Sequence, residues 1–375
     1  MLNICHRAGT RARAALLPPI ALAVFGFATA FAQAADFAQV NPGTPLSFPQ
    51  DYGAHPDYRT EWWYATGWLE TPDKKPLGFQ VTFFRSATGG NLDNPSKFAA
   101  KQLIIAHAAL SDPALGKLLH DQKSAREGFG LAYAKPGNTD VKLDNWTMQR
   151  DSRGNYQASI VSKEFTLKLT LSPSQPLLVQ GEHGYSQKGT KPEQASYYYS
   201  EPQLKVSGAI IRAGKETVVN GSAWLDHEWS SSVLDNASSG WDWLGANLED
   251  GGALMAFQIR DKDGKAVWAH ATLRDATGKV TQYAAGQVRF VAKRRWTSAA
   301  TNTTYPVATA IELAGSNGEA RDTWDLLPLS DNQELDSRRS TGAIYWEGAV
   351  TVQRNGRPAG RGYLELTGYN KALKL

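Results

Sequence analysis

The fold and function of this chain are best predicted from one segment, GSAWLDHEW at Gly221–Trp229. A polar loop follows it and leads to GWDW at Gly240–Trp243. The two segments hold four of the 12 tryptophans, two aspartates, one glutamate and one of the seven histidines. Polar and ionisable groups are costly to bury among aromatic rings unless each one is paired. This mixture therefore indicates a functional site.

The first segment is typical of a β-strand, in which successive side chains point to opposite faces. The alternation gives one face with Trp224, Asp226 and Glu228, and a second face with Leu225, His227 and Trp229. Each face pairs an aromatic ring with a titratable group, which favours a site. The structural alternative is a tryptophan-rich core strand in which Asp226 and His227 close a turn through local hydrogen bonds.

The N-terminal residues 1–34 have the pattern of a secretory signal peptide. Three arginines at 7, 11 and 13 precede an apolar stretch over 14–31, and Ala32–Ala34 supplies a cleavage motif of small residues. We expect cleavage after Ala34, with an uncleaved anchor as the alternative. The mature chain is then periplasmic or secreted, with no stable membrane span.

Charge and cysteine content narrow the function further. Removing residues 1–34 takes away three arginines and no acid, so the net charge falls from +4 to 4 − 3 = +1. A nearly neutral chain argues against nucleic acid as a partner. The only cysteine, Cys5, leaves with the leader, which excludes disulfides, thiol nucleophiles and thiolate metal sites from the mature protein.

Beyond an irregular lead-in over 35–55, the pattern is strand-like almost throughout. Short β-branched or aromatic runs, such as 78–84, 103–110, 156–161 and 165–171, are bounded by turn residues. Hairpin turns are predicted at 153–155, 262–264, 276–278 and 354–356. Only 97–101 and the region near 115–127 look helical. The fold class is all-β, with antiparallel barrels or sandwiches preferred.

A faint internal repeat divides the chain. Glu61–Tyr64 leads through a turn to Phe79–Val81 and Arg85, while Trp241–Trp243 leads to Phe257–Ile259 and Arg260. Two similar β units are therefore expected, at 56–233 and 234–375, with the central motif at their interface, where ligand sites often fall.

Four motifs in this order give the mature chain a resemblance to a known family. They are Glu61–Tyr64, Trp224–Trp229, Gly240–Trp243 and a closing GYLELTGY at Gly362–Tyr369. Together they resemble the AttH-like and carotenoid 1,2-hydratase group, in its exported branch. That group includes hydroxyneurosporene synthase, exported proteins labelled as hydrolases and fungal pericyclic cyclases. The resemblance implies two tandem lipocalin-like antiparallel β-barrel domains and an association with an ABC-type export system.

Hydration of an alkene needs a strong acid, a way to stabilise a cation and a placed water. We expect Asp226 to be the acid and His227 its partner, with Asp242 as the competing acid and Glu228 also available. Aromatic faces attract a developing cation. The rings available for this are Trp224, Trp229, Trp241 and Trp243.

The other candidate site residues could have structural roles as well as functional ones. Glu61, Trp62 and Trp63 repeat the theme of an acid beside aromatic rings, and could face the same cavity or pack as a strand end. Arg85 and Arg260 are typical of barrel-closing ion pairs with a carboxylate such as Glu347 or Glu365. No histidine shows metal-ligand spacing, so no metal or other cofactor is predicted. A serine hydrolase is disfavoured, because Gly221–Ala223 lacks the second glycine of a nucleophile elbow.

Two function classes remain open. The first is an enzyme that hydrates, isomerises or cyclises an apolar, isoprenoid- or lipid-like molecule at the domain interface. The second is a carrier that holds an apolar ligand without changing it, because a barrel interior can hold one small molecule.

Overall fold

The computed structural model describes residues 37–90, 94–234, 237–315 and 320–373. The predicted leader lies outside these residues. The described chain contains 3₁₀ turns at Gln50–Tyr52 and Pro113–Leu115. Its strands are β1 (Thr60–Glu70), β2 (Pro76–Ala87), β3 (Gln102–Asp112), β4 (Lys117–Arg126), β5 (Ala132–Ala134), β6 (Asp140–Leu143), β7 (Trp146–Arg150), β8 (Tyr156–Val161), β9 (Thr166–Ser172), β10 (Leu178–Val179), β11 (Tyr185–Gln187), β12 (Ala195–Arg212), β13 (Lys215–Ser232), β14 (Ser238–Leu248), β15 (Ala253–Asp261), β16 (Ala266–Arg274), β17 (Val280–Tyr283), β18 (Val288–Thr297), β19 (Thr304–Leu313), β20 (Asp322–Pro328), β21 (Glu334–Asp336), β22 (Ile344–Arg354) and β23 (Arg357–Leu366).

The all-β prediction is confirmed, and so are the four hairpin turns, each of which joins two paired strands. The helix predicted near 115–127 is wrong, because Lys117–Arg126 forms β4 and pairs with β3 along its whole length. Residues 97–101 also form a turn and not a helix. No helix in the described part of the chain has the length and apolar character needed to span a bilayer.

The first sheet has 13 strands, with β4 at one end of its order and β5 at the other. It nearly closes on itself. Lys123 on β4 lies 2.6 Å from the Asp144 carboxylate in the turn after β6. The enclosed core includes Phe79, Phe83 and Trp146. Strands of this barrel that lie away from the second sheet alternate between buried and non-buried residues. In β9, for example, the leucines at 167, 169 and 171 point inward.

The second sheet has 10 strands and wraps around a separate core that includes Trp324 and Trp346. The β14–β15 hairpin of this sheet is equivalent in position to the β1–β2 hairpin of the first sheet. These two hairpins carry the two similar sequence segments at 61–85 and 241–260. β13, the strand with the central motif, ends the first sheet at Ser232, and β14 begins the second at Ser238.

The two sheets pack through strands that are buried on both faces. β1 and the second half of β13 turn one face to their own barrel and the other to β14, β15, β22 and β23, which explains the unbroken burial of residues 63–69 and 223–230. Tyr64, Trp224, Trp243 and Phe257 belong to the apolar cluster between the sheets. Hydrogen bonds also cross there, from Trp68 Nε1 to the Gly362 carbonyl at 2.9 Å and from Asn247 Nδ2 to the Ala223 carbonyl at 2.9 Å.

Candidate functional site

A cavity of about 350 Å³ lies between the two sheets. Its walls are mostly apolar, and its residues come from both halves of the chain. The first sheet contributes Trp62, Tyr64, Phe84, Asp226 and Glu228, among others. The second contributes Trp241, Trp243, Phe257, Ile259, Tyr345, Glu347 and Glu365. The cavity therefore joins apolar walls to several carboxyl groups, as a site for an apolar ligand with directed polar contacts requires.

Two of these carboxyl groups, Glu347 and Glu365, face each other across β22 and β23. Glu347 Oε1 accepts a hydrogen bond from the Tyr64 hydroxyl. Its second oxygen, Oε2, is fully buried, and the Tyr345 hydroxyl is a weaker second partner of the carboxyl group. Burial and the adjacent Glu365 raise the pKa of Glu347 well above its usual value, although the two tyrosine hydroxyls oppose the shift. Glu347 is thus a protonated acid in the wall of the cavity.

Glu365 is the other member of this pair. Its Oε2 accepts a hydrogen bond from Trp241 Nε1 at 2.9 Å. Burial raises the pKa of Glu365 to about 7, and the Trp241 hydrogen bond opposes that shift. Like charges this close cannot both form without a large cost, so the pair holds at least one proton near neutral pH.

Asp226, the acid expected from the sequence, lines the same cavity but is held by three donors. Oδ1 accepts from the Ser200 hydroxyl and from Trp224 Nε1, each at 2.6 Å, and Oδ2 accepts from the Tyr198 hydroxyl at 2.6 Å. Burial raises the pKa of Asp226 to about 7, although the three hydrogen bonds lower it. Trp243 Nε1 donates to the Tyr198 hydroxyl at 3.1 Å, which extends the network to the second sheet.

Glu228 points to the same face as Asp226 and is paired with a cation. Lys188 Nζ lies 2.9 Å from Glu228 Oε1, which also accepts from the Ser196 hydroxyl. The ammonium group lies 4.5 Å from the centre of the Tyr198 ring and 4.3 Å from that of Phe257. The pairing makes Glu228 a weaker candidate for proton donation than Glu347.

His227 does not meet Asp226, so the expected partnership of these two residues is wrong. They alternate along β13, and the His227 ring points into the first barrel. There its Nε2 lies 2.9 Å from Glu61 Oε1 and its Nδ1 lies 3.0 Å from the Tyr199 hydroxyl. Trp63 stacks on the His227 ring at 4.6 Å between centroids, and Trp229 lies at 5.0 Å. Neither of these tryptophans lines the cavity.

Glu61 brings a second histidine into this inner cluster. His55 Nδ1 lies 2.7 Å from Glu61 Oε1, so two imidazoles converge on one carboxylate oxygen. Arg85 Nε donates to Oε2 at 2.8 Å, in one of the barrel-closing ion pairs that the sequence suggested, though with a different carboxylate. His55, Glu61 and His227 are the described residues whose ligand atoms could hold a metal ion. Sequence spacing did not reveal this set, because each member lies in a different segment.

The charges in the inner cluster depend on one another. Burial opposes ionisation of Glu61, but the hydrogen bonds from His227 and His55 hold its pKa well below the usual range. Burial lowers the pKa of His227 despite Glu61. Burial also works against protonation of His55, yet hydrogen bonds to Asp51 and Glu61 raise its pKa.

Asp242, the competing acid, lies on the face of β14 that packs on the core of the second sheet, and it does not line the cavity. Its carboxylate accepts from Arg260 Nε at 3.0 Å and from Gln258 Nε2 at 2.6 Å. This is the counterpart of the Glu61–Arg85 pair in the first barrel. The contacts hold Asp242 in a buried ion pair with Arg260.

The sequence pattern indicated Glu347 and Glu365 only as partners for arginines. A usable signal was present, because β22 reads IYWEGAV and places a glutamate within an apolar strand. Alternation puts Tyr345, Glu347 and Ala349 on one face, and Tyr345 reaches His107 Nδ1 with its hydroxyl at 2.9 Å. Lys188 carried no comparable signal, since it follows a short strand in a polar segment.

The chain is similar to proteins of known family and structure. A family model described as AttH-like matches residues 39–369. A crystal structure of a candidate AttH from Nitrosomonas europaea is 60% identical in sequence, with a TM-score of 0.83, and the match covers 89% of this chain and 99% of that one. No curated protein matches.

More distant structures share the fold. Kievitone hydratase from Nectria haematococca is 16% identical with a TM-score of 0.66, over 90% of this chain and 97% of that one. The protein CghA is 13% identical with a TM-score of 0.52, over 90% and 97%. At these identities the likeness shows a common lipocalin-like architecture.

Proposed function

The chain belongs to the AttH-like family, and from that premise we propose that it is an acid catalyst acting on an apolar small molecule in the cavity between the two sheets. The reaction class is proton-initiated addition or rearrangement at a carbon–carbon double bond: hydration, isomerisation or cyclisation. Kievitone hydratase, a protein of the same fold, is named for a hydration, which is compatible with this chemistry.

One observation carries the proposal. Glu347 is buried in the wall of an apolar cavity, directly opposite a second carboxyl group, Glu365, that lines the same cavity. An acid kept protonated by burial and by a neighbouring carboxyl is the group that protonation of an alkene needs.

In the proposed step, the Glu347 carboxylic acid gives its proton to one alkene carbon, and the π electrons form the new C–H bond. The cation left on the other carbon lies among the faces of Trp62, Trp243 and Phe257, each worth about 0.5 to 2 kcal/mol when desolvated. Water then forms the C–O bond and returns one proton to the Glu347 carboxylate, which completes a hydration. Loss of a proton from carbon instead gives an isomer.

Asp226 is the second candidate acid in the proposal. Its three hydrogen bonds favour a role in fixing Tyr198 and Trp224 around the cavity, whereas Glu347 lies beside a second carboxyl group that keeps it protonated. Substitution of Asp226 and substitution of Glu347 should therefore have different effects on ligand binding and turnover. Asp226→Asn should alter ligand affinity and turnover together, and Glu347→Gln should abolish turnover with the ligand still bound.

The alternative function is a carrier, which the apolar walls alone would support. To separate the two, the purified protein is incubated with a hydrophobic extract of its own cells and the bound molecules are identified by mass spectrometry. A product heavier by one water, or an isomer, from the parent protein and unmodified precursor from Glu347→Gln support catalysis. The same unaltered ligand from both proteins would establish the carrier and overturn the proposed reaction.

We also propose export to the periplasm or beyond, on the signal-peptide pattern of residues 1–34. An ABC-type export system as a partner belongs to the same proposal. Fractionation of cells expressing the full chain, with N-terminal sequencing of the mature protein, tests cleavage after Ala34. Retention of an intact N-terminus in the cytoplasm would contradict it.

A further inference from the structure

Three potential metal ligands meet inside the first barrel, although they come from separate parts of the chain. His55 precedes β1, Glu61 lies near the start of β1 and His227 lies on β13. Their ligand atoms all lie within 4.8 Å of one another. We propose that His55, Glu61 and His227, the His-Glu-His cluster, form a binding site for a divalent transition metal, with zinc as the first candidate. This inference does not rest on the proposed reaction in the cavity.

The donor set fits such a metal. Two imidazole nitrogens and one carboxylate oxygen are the ligands found in many three-residue zinc sites, which leave a fourth position for water or substrate. Calcium and magnesium prefer sets made of oxygen alone. The mixed set of this cluster therefore selects a transition metal.

Each of the three residues also has an outer partner that fixes its orientation. His55 Nε2 lies 3.3 Å from Asp51 Oδ1, and His227 Nδ1 lies 3.0 Å from the Tyr199 hydroxyl. Arg85 and the backbone N–H of His55 both bind Glu61 Oε2, which leaves Oε1 directed at the two imidazoles. Metal-bound histidines and carboxylates are held in this way, because the outer hydrogen bonds set ring orientation and ligand basicity.

The present spacing needs only a small change to admit an ion. Zinc bonds of about 2.0 to 2.1 Å at tetrahedral angles place neighbouring ligand atoms roughly 3.3 Å apart. Glu61 Oε1 now lies 2.7 Å from His55 Nδ1 and 2.9 Å from His227 Nε2. These two separations would open by about half an ångström, and the two imidazole nitrogens, which lie within 4.8 Å of each other, would settle at the same spacing. The His55 ring stacks on Trp229 at 3.8 Å, and movement of the ring within its plane would supply the change.

Burial and charge distinguish this cluster from a surface group of acids. Glu61 and His227 are fully buried, and the His55 side chain retains 15% exposure, which gives an ion a route inward. The Glu61 carboxylate is offset by Arg85, and Asp51 supplies a second negative charge on the open side. A divalent ion would thus pass the Asp51 carboxylate and reach the His55 and His227 nitrogens, which are already oriented for binding.

The test uses protein stripped with a chelator and titrated with zinc chloride by isothermal titration calorimetry. The parent protein should bind one zinc ion per chain. His55→Ala, the least buried change, should weaken binding by more than the roughly 10 to 100-fold that loss of an outer partner costs. His183→Asn, on an exposed turn, is the matched control and should bind like the parent. Equal affinity in His55→Ala, or no stoichiometric binding by the parent, overturns the proposal.

Two further variants keep the test decisive if His55→Ala folds poorly. Tyr199→Phe removes only the outer partner of His227 and should weaken zinc binding by about 10 to 100-fold with an unchanged circular dichroism spectrum. His55→Cys loaded with cobalt should gain a thiolate-to-cobalt charge-transfer band that the cobalt-loaded parent lacks. Absence of both effects in folded variants rules out the site, whatever the outcome of the cavity experiment.

Discussion

Glu347 on β22 lies directly opposite Glu365 on β23, and the cavity wall holds both, with Glu347 buried and Glu365 partly buried. Directly opposed side chains on antiparallel strands have Cβ atoms about 4.5 to 5.5 Å apart. Two carboxylates at that distance in an apolar environment repel each other strongly. The pair therefore retains one proton at pH values where an exposed glutamate is ionised.

The first prediction concerns Glu347→Gln. Glutamine keeps the shape of the side chain and can still accept from the Tyr64 hydroxyl, but it has no acidic proton. Turnover should fall by about 100 to 10,000-fold, the usual contribution of a general acid. The melting temperature should not fall, because a buried ionisable group is removed. The exposed Glu216→Gln is the control, and turnover at the parent level in Glu347→Gln would exclude Glu347 as the acid.

The second prediction is a pH dependence of stability from Glu365. Its pKa is about 7 in the folded protein and 4.5 for an unperturbed glutamate. Between these values the folded state binds the proton and the unfolded state does not, so the free energy of unfolding falls as the pH rises. The loss from this group is up to roughly 3 kcal/mol. Urea denaturation at about pH 5 and about pH 8 measures it.

Glu365→Gln should reduce the pH dependence in two ways, because it removes the Glu365 proton and also removes the neighbouring charge that raises the pKa of Glu347. The activity of the parent should also decline above neutral pH, as the pair loses its proton. An identical change in unfolding free energy for parent and variant would show that Glu365 titrates normally.

The third prediction concerns the buried ion pair between Arg260 and Asp242 in the second sheet. Arg260→Met leaves the Asp242 carboxylate without its cation, and breaking a buried pair costs about 3 to 5 kcal/mol. The double variant Arg260→Met with Asp242→Asn should recover a large part of this loss, because no uncompensated charge remains. Chemical denaturation of the four proteins gives the coupling energy. Additive effects would mean that the pair contributes nothing.

The fourth prediction tests the contact between the sheets. A Cβ added at Gly78 would lie 2.7 Å from the Ala349 Cβ and 3.2 Å from the Ser111 Cβ. Gly78→Ala should therefore destabilise the protein by about 1 to 3 kcal/mol, the usual cost of overpacking. Adding Ala349→Gly should relieve most of it, as measured by melting temperature. Gly264→Ala, where an added Cβ meets nothing within 4 Å, controls for glycine removal at a strained exposed turn.

The fold could be predicted from the sequence because its signals are local. Alternation in β9 and the turn residues around Gly154 and Gly356 identify strands and hairpins without any knowledge of the tertiary structure. β4 was missed because its polar and charged residues do not alternate clearly with apolar ones. Its pairing with β3 supplies the stabilisation that its own sequence does not indicate.

The site could be predicted only in part, because its geometry depends on register and on distant segments. Counting back from the turn at Asn355 with perfect pairing would place Glu347 opposite Leu364. A bulge between Val352 and Gln353 shifts the register by one residue and brings Glu365 there instead. Likewise, His55 lies in an irregular segment, where no periodicity predicts its approach to Glu61.

The alternation of β13 also restricts how this segment can change during evolution. Asp226 and Glu228 serve the cavity, and His227 serves the barrel interior, from consecutive positions of one backbone. Substitutions can adjust either set alone. A single-residue insertion or deletion before Asp226 would exchange the two faces, placing the histidine in the cavity and the acids in the barrel core. We therefore expect length variation among relatives to avoid Trp224–Trp229 and to collect in the surrounding loops.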